Sequence, residues 1–161
     1  MVQALTLLVV SILVIVDQII KKAVTANLSV GESCLTVPGF AEIQYCRNYG
    51  GMMGTFDGMA EILSVVAVII LIVVLIMMLT KKIKFGVIYI GLAMIVAGGI
   101  GNLIDRIALG YVIDYINVLF IDFYIFNFAD CLICVGAALM VIYTIIDLVR
   151  ECKTKKVNDN E

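Results

Sequence analysis

Four aspartates stand where long apolar stretches of this sequence begin or end, and they are the residues best suited to chemistry. Asp17 and Asp105 close apolar runs, Asp114 lies shortly beyond one, and Asp130 opens another. The chain contains no histidine, which is the commonest general base and metal ligand. Two aspartates held close together share one proton, because both cannot ionise comfortably side by side. Such a pair can activate water and polarise a carbonyl, which is the chemistry of amide hydrolysis without a metal.

The elements that carry these aspartates are hydrophobic enough to cross a membrane. The 161 residues are 63% hydrophobic and 15% charged, whereas soluble domains are about 45–50% apolar and about 25% charged. Because about 20 apolar residues cross a bilayer, we predict an all-α integral membrane protein with four transmembrane helices. A net charge of −2 gives no sign of a nucleic-acid partner. The predicted single domain covers residues 1–161, with spans at 3–22, 60–80, 85–107 and 126–148 and a polar C-terminal tail at 151–161.

The positive charges predict which way the helices run. Seven Lys or Arg residues lie between the second and third spans or in the C-terminal tail, against four on the other side. Cytoplasmic segments of membrane proteins carry the excess of positive charge, so we predict that both termini are cytoplasmic. The seven are Lys81, Lys82, Lys84, Arg150, Lys153, Lys155 and Lys156, and the four are Lys21, Lys22, Arg47 and Arg106.

Two stretches lie on the outer side in this arrangement. Residues 23–59 alternate weakly between apolar and polar side chains around Pro38 and Gly39, which predicts short strands joined by a turn. We therefore expect a small extracytoplasmic β-sheet segment between the first and second helices. Residues 105–125 are rich in aromatic and β-branched side chains, which is typical of the membrane–water interface.

Two local patterns have both a structural and a functional interpretation. Asp17 and Lys21 are four residues apart, the spacing of an ion pair on one helix face. Asn102, Asp105 and Arg106 share one helix face, which predicts a local Asp–Arg pair or part of a polar site. The glycines just before them predict close packing by a neighbouring helix, and these are Gly98, Gly99 and Gly101.

The last apolar run opens with Asn127, and Asp130 follows three residues later. This spacing resembles a capping box, in which Asn127 is the N-cap and Asp130 occupies the third helical position. Capping and catalysis are compatible, because the positive end of a helix also favours an ionised carboxylate. Both roles remain open for Asp130 at this point.

Five motifs in this order resemble those of the lipoprotein signal peptidases, the signal peptidase II family, from Asp17 to about Gly136. They read DQIIK, RNYGGMMG, GGIGNLIDR, GYVIDYINV and FNFAD. The resemblance implies a membrane aspartic endopeptidase that removes signal peptides from bacterial prolipoproteins, cleaving before a cysteine that carries a diacylglyceryl group. We expect a lipid-surrounded monomer in the cytoplasmic (inner) membrane, with its site near the outer surface and no metal or cofactor.

The resemblance also implies a role for each matching residue. The catalytic pair would be Asp114 and Asp130. Asp105 is the rival for Asp114, but Asp114 lies in a more apolar stretch, where a shared proton is easier to arrange. The residues expected to position the substrate or support the site are Asn48, Gly50, Asn102, Asp105, Arg106 and Asn127, and those expected to brace it are Asp17 and Lys21.

One motif departs from the family pattern, and the polytopic membrane topology also allows an alternative function. The chain has NYGGMM where the family usually has a sequence such as NTGAAF, so contacts with substrates or inhibitors are expected to differ there. The alternative is a small polytopic membrane transporter or channel subunit. Such a protein would place carboxylates near the middle of the membrane, and the predicted spans carry none there.

The cysteines suggest structure rather than chemistry. Cys131 and Cys134 form a C-x-x-C inside an apolar run, and we predict that they are buried thiols. Cys34 and Cys46 both lie in the outer segment, and whether they form a disulfide depends on geometry and on the redox compartment.

Overall fold

The computed structural model describes residues 2–49 and 60–158. Four helices and three strands follow one another along this part of the chain. In order they are α1 (Val2–Asn27), β1 (Ser33–Val37), β2 (Ala41–Asn48), α2 (Ala60–Leu79), α3 (Val87–Leu109), β3 (Val112–Val118) and α4 (Phe128–Asn158).

The helices present apolar side chains outward, as expected of a protein dissolved in lipid. Leu5, Ile69 and Val141 are 59%, 56% and 58% exposed, and soluble proteins rarely expose large apolar patches of this kind. Within the described residues, three helices are long and apolar enough to cross a membrane, namely Val2–Asn27, Val87–Leu109 and Phe128–Cys152. The apolar stretch described in α2 is shorter, Val65–Leu79. The protein is therefore mostly helical and of the integral membrane type.

Helix α3 lies at the centre and packs against the other three helices. Its glycines allow these close contacts, because an added Cβ at each would collide with a neighbour. The prediction that they are packing residues is confirmed, and each serves a different helix. The neighbours that a Cβ would meet are the Ala129 carbonyl of α4 for Gly98, Leu71 of α2 for Gly99 and Asp17 of α1 for Gly101.

The three strands form one antiparallel sheet in the order β1-β2-β3. The prediction confined the sheet to the segment between the first and second helices, and this was wrong for one strand. The third strand, β3, comes from residues that the composition assigned to the membrane interface. Aromatic and β-branched side chains favour strands as well as interfaces, so composition did not separate the two.

The end of α3 brings the sheet onto the helices. Gly110 has a left-handed φ of 79°, and its N–H donates to the Arg106 carbonyl, which is the usual helix-ending turn. Strand β3 starts two residues later. Tyr45 and Tyr115 of the sheet pack with Val24 of α1.

Two helices extend further than predicted. Helix α1 continues to Asn27 and α4 to Asn158, so residues 151–158 of the predicted polar tail are helical. Neither extension contains proline or glycine, and Lys and Glu are good helix formers.

Candidate active site

Asp114 is buried in β3, where two asparagines hold its carboxylate. The side chain is 3% exposed. Asn127 Nδ2 donates to Asp114 Oδ1 at 2.6 Å, and Asn48 Nδ2 donates to Asp114 Oδ2 at 2.9 Å. Asn48 reaches it because β2 pairs with β3, with Asn48 opposite Val112 in the ladder. A segment distant in sequence thus completes the surroundings of this carboxylate.

Asp130 caps the start of α4 and also faces the site. Its Oδ2 accepts the Asn127 backbone N–H at 3.1 Å, while Asn127 Oδ1 accepts the Asp130 N–H at 3.0 Å. The capping box expected from the spacing is therefore present. The other carboxylate oxygen, Oδ1, accepts a hydrogen bond from Asn102 Nδ2 at 2.7 Å.

Asn127 joins the two carboxylates. It is fully buried, its Nδ2 donates to Asp114, and its Oδ1 and backbone N–H engage Asp130. Asp114 and Asp130 come from different elements, sixteen residues apart in sequence, and meet at this one amide.

The surroundings of Asp114 favour its protonated form. Burial, which removes water from the charged form, raises the pKa of Asp114 to about 6, and the negative charge of Asp130 raises it further. The hydrogen bonds from Asn48 and Asn127 and the charge of Lys21 act in the opposite direction. A carboxyl group with this pKa can hold a proton at mildly acidic pH beside an ionised partner.

A second polar cluster lies next to this pair, centred on Lys21. The ammonium group is 2.9 Å from Asp17 Oδ2 and 2.9 Å from Asp105 Oδ2, and it donates to Asn102 Oδ1 at 2.9 Å. The ion pair expected from the four-residue spacing is thus present. All four side chains are at least 95% buried, so Lys21 links the ion pairs to an asparagine that contacts Asp130.

Asp105 anchors β3 rather than pairing with its neighbour. Its Oδ2 accepts the Ile113 N–H at 3.1 Å, directly before Asp114. The predicted Asp105–Arg106 pair was wrong, because adjacent residues on a helix point about 100° apart and Asp105 faces Lys21. Arg106 is half-buried, and its side chain has no ion pair or hydrogen bond within residues 2–49 and 60–158.

The remaining predictions concern the NYGGMM motif, of which the structure describes only Asn48 and Tyr49. Gly50 lies outside the described residues, as does the rest of the GGMM stretch. Asn48 is the last residue of β2 and contacts Asp114, as described above.

Two site residues were missed from the sequence. Gln18 Nε2 approaches Asp17 Oδ2 at 3.2 Å, the Gly101 carbonyl at 3.1 Å and Asp105 Oδ1 at 3.0 Å. Tyr115 OH accepts the Phe128 N–H at 3.1 Å, which ties β3 to the first residue of α4. Gln18 stands inside the DQIIK motif, and its polarity in an apolar run was the available signal. Nothing in the local sequence marked Tyr115.

The cysteines are free thiols wherever the structure describes them. Cys34 lies opposite Ile43 in the sheet, whereas Cys46 lies opposite Asp114, so the register does not bring the two together. Cys131 is half-buried and Cys134 is exposed, so the prediction that both are buried was wrong for Cys134. In the described parts of the chain, no three Cys, Asp or Glu side chains are grouped as metal ligands would be.

Comparison with known proteins identifies the family that has this arrangement. Residues 9–146 match the family model described as signal peptidase (SPase) II. A lipoprotein signal peptidase of Lactobacillus johnsonii is 37% identical over 89% of this chain and 93% of its own. One of Fusobacterium nucleatum is 40% identical over 81% of this chain and 80% of its own.

Solved structures agree with the sequence relatives. A bacterial membrane enzyme determined at 2.3 Å by the in meso method superposes with a TM-score of 0.82, at 28% identity over 90% of each chain. A second such enzyme, at 1.9 Å, gives a TM-score of 0.78 at 29% identity, covering 88% of this chain and 92% of the other. The chain therefore belongs to the signal peptidase II family of membrane aspartic peptidases.

Proposed function

We propose that this protein removes signal peptides from bacterial prolipoproteins, cleaving on the N-terminal side of a diacylglyceryl-modified cysteine. The observation that carries the proposal is the meeting of Asp114 and Asp130 at Asn127. The names of the relatives from Lactobacillus johnsonii and Enterococcus faecalis, both lipoprotein signal peptidases, supply the substrate class. Their sequence similarity covers most of this chain, the site included.

The two carboxyl groups take different roles in the proposed reaction. Asp114, whose pKa is raised to about 6 by burial, holds the shared proton and donates a hydrogen bond to the oxygen of the scissile carbonyl. Asp130 takes a proton from water, and the water oxygen adds to the carbonyl carbon. When the C–N bond breaks, that proton passes from Asp130 to the leaving amine, and the new carboxyl group departs.

The asparagines and glycine of the motifs serve this reaction in distinct ways. Asn48 and Asn127 orient Asp114, and Asn102 orients Asp130. We assign Gly50 and Arg106 to substrate positioning on the family resemblance alone.

Asp17 and Lys21 brace the site in this proposal. Asp17 Oδ1 accepts the Ala129 N–H at 3.1 Å, beside Asp130, and Lys21 Nζ bonds both Asp17 and Asp105. Asp105 supports the site by fixing the strand residue before Asp114.

We place the protein in the cytoplasmic membrane as a lipid-embedded monomer with four spans, counting α2 with the three longer helices. The excess of Lys and Arg in the loop after α2 and in the C-terminal tail supports cytoplasmic termini. With that orientation, the end of α3 and the start of α4 face outward, and so does the site. A carboxylate pair near the interface costs less to embed than one at the middle of the bilayer.

The test is cleavage of a diacylglyceryl-modified prolipoprotein peptide by purified protein in detergent, with the same peptide without lipid as control. We expect cleavage of the lipidated peptide only. Asp114→Asn and Asp130→Asn should remain folded and lose at least about 1,000-fold in kcat. Asp105→Asn should retain measurable activity, and Asp122→Asn, which changes an exposed aspartate, should match the wild type.

Two outcomes would overturn parts of the proposal. Full activity of Asp114→Asn would move the second catalytic carboxylate elsewhere, with Asp105 the next candidate. No cleavage of the lipidated peptide by folded wild-type protein would refute the substrate assignment.

A further inference from the structure

The ammonium group of Lys21 is saturated by three acceptors. Its partners are Asp17 Oδ2, Asp105 Oδ2 and Asn102 Oδ1, each at 2.9 Å. An ammonium group has three hydrogens and no acceptor, and Lys21 is 1% exposed. Water therefore does not take part, and all three partners must present an oxygen.

This requirement fixes the orientation of the Asn102 amide. Its Oδ1 faces Lys21, so its Nδ2 points the other way, towards Asp130 Oδ1 at 2.7 Å. An asparagine amide could otherwise be turned by 180°, since its oxygen and nitrogen ends have nearly the same shape. Turned in that way, it would present an oxygen to the Asp130 carboxylate, and two acceptors would face each other.

The same orientation is passed on to Asn127. Asn102 Oδ1 also accepts from Asn127 Nδ2 at 3.1 Å, and the second hydrogen of that nitrogen goes to Asp114 Oδ1 at 2.6 Å. Asn127 Oδ1 is then left to accept the Asp130 N–H at 3.0 Å. Lys21 and Asn127 thus both donate to Asn102 Oδ1. The remaining amide hydrogens go to the carboxylate pair, from Asn102 to Asp130 and from Asn127 to Asp114.

We infer that Lys21 is a positioning residue for catalysis, which holds the Asn102 oxygen towards itself and Asn127, so that the remaining amide hydrogens reach Asp130 and Asp114. This inference rests on the proposed assignment of Asp114 and Asp130, and it goes beyond a bracing role for the Asp17–Lys21 pair. Lys21 acts through Asn102 and Asn127 and touches neither carboxylate of the catalytic pair in the structure.

Removing Lys21 should therefore impair the chemical step rather than substrate binding. Without Lys21, the Asn102 oxygen keeps only Asn127 Nδ2 as a donor, so the Asn102 amide is held less firmly in the orientation that donates to Asp130. We expect kcat to fall about 100-fold, as misplacement of catalytic groups by about an ångström does, while KM stays within about threefold because binding does not use Lys21.

The experiment must limit the number of buried carboxylates without a cation, because Lys21→Met alone would leave two and could prevent folding. The double variant Lys21→Met/Asp17→Asn leaves one, Asp105. The triple variant with Asp105→Asn added leaves none of the three charges and separates the loss of Lys21 from the effect of an unpaired Asp105. The reference for the double variant is Asp17→Asn, in which Lys21 still has Asp105 and Asn102 as acceptors. Lys22→Met, which changes an exposed lysine next in sequence, is the control for loss of a positive charge.

The readouts are kcat, KM and the pH profile for the lipidated peptide, together with the unfolding temperature in detergent. We expect the double variant to have the KM and unfolding temperature of Asp17→Asn, a kcat about 100-fold lower, and a displaced pH profile. The titratable or charged groups that act on the pair from the neighbouring elements are Lys21, Cys46, Tyr115 and Cys131. Three further variants in the reference background, Cys46→Ser, Tyr115→Phe and Cys131→Ser, show whether a shift of the pH profile comes from Lys21 or from one of the other groups.

Infrared titration of protonated carboxyl groups gives a measurement that does not need substrate. The carboxyl bands of Asp114 and Asp130, assigned by adding Asp114→Asn or Asp130→Asn, should be displaced in the double variant relative to Asp17→Asn. The band of Asp105, which loses Lys21, is identified by adding Asp105→Asn. This readout separates the inference from the proposed function, because failure of wild-type cleavage would refute the substrate and leave the infrared comparison intact.

The inference is overturned if the folded double variant has the kcat and pH profile of Asp17→Asn. It is also overturned if the infrared bands of Asp114 and Asp130 are the same in the two variants, or if any loss of kcat is matched by loss of folded protein.

Discussion

Two pairs of aspartates lie side by side in this protein, and they differ in the groups that hold their carboxylates. Asp17 and Asp105 share the ammonium group of Lys21 at 2.9 Å. Asp114 and Asp130 are held by neutral amides from Asn48, Asn102 and Asn127. A cation stabilises carboxylates in their ionised form, whereas neutral donors in a buried site leave room for a proton. The structural pair therefore has a counter-charge that the reactive pair lacks, and Asp130 of the reactive pair is in addition only half-buried.

The two pairs are also joined, so the structural pair determines the geometry of the other. Asp105 holds the Ile113 N–H before Asp114, and Asp17 holds the Ala129 N–H before Asp130. Each structural aspartate thus fixes the backbone next to one reactive aspartate. Within the described residues, no buried side-chain nitrogen or oxygen lacks a hydrogen-bond partner, as expected of a polar site embedded in an apolar fold.

The largest effect on stability should come from breaking the structural pair. Asp17→Ala leaves Lys21 with one carboxylate and the Ala129 N–H without its acceptor. Removing one partner of a buried ion pair costs about 3–5 kcal/mol. The measurement is unfolding in detergent, with Asp122→Ala as a matched change of an exposed aspartate. A cost below about 1 kcal/mol would contradict the structural role given to this pair.

The reactive pair should make the free energy of unfolding depend on pH. The pKa of Asp114 is raised by burial from 3.8 to about 6 in the folded protein, so the folded state binds more protons than the unfolded state between these values. The contribution of Asp114 to stability is therefore fully present below about pH 4 and is lost as the pH rises through about 6.

A comparison of wild type with Asp114→Asn isolates this contribution. From about pH 4 to pH 7, the wild type should lose on the order of 3 kcal/mol of unfolding free energy relative to the variant. Chemical unfolding at several pH values measures the difference. A difference that does not change with pH would mean that Asp114 keeps an ordinary pKa and does not hold the shared proton.

A smaller effect should follow from pushing α1 away from α3. An alanine Cβ at Gly101 would lie 2.6 Å from Asp17 Oδ2 and 3.1 Å from Asp17 Cγ. The Asp17 side chain is fixed by its ion pair, so Gly101→Ala should cost about 1–3 kcal/mol by overpacking. Gly86→Ala is the matched control, because its Cβ would meet no atom within 4 Å. Equal stability of the two variants, measured by unfolding in detergent, would show that the helices can separate without cost.

Local sequence was sufficient for two pairs whose members lie three or four residues apart. The Asp17–Lys21 pair and the Asn127–Asp130 capping box are spaced four and three residues apart, and both are present. Partners on different elements could not be predicted in this way. Asp105 was expected to pair with Arg106 and instead faces Lys21 of α1.

The third strand shows the same limit for the fold. Residues 112–118 have the composition of an interfacial segment, and only the presence of β2 as a hydrogen-bonding partner makes them β3. Asn48 is likewise an ordinary strand residue until that pairing places its amide against Asp114.

The sequence by itself determined that the protein is of the integral membrane type and that four aspartates lie at or just beyond the ends of apolar runs, because hydrophobic run length and side-chain charge are properties of the residues themselves. Its ordered motifs also indicated the family. Only the tertiary structure decided that Asp105 joins Asp17 at Lys21 and that Asp114 and Asp130 are held by neutral amides. That choice depends on how closely α1, α3 and α4 approach at Gly98 and Gly101 and on the register of β3, and such distances between elements are not encoded by any local spacing.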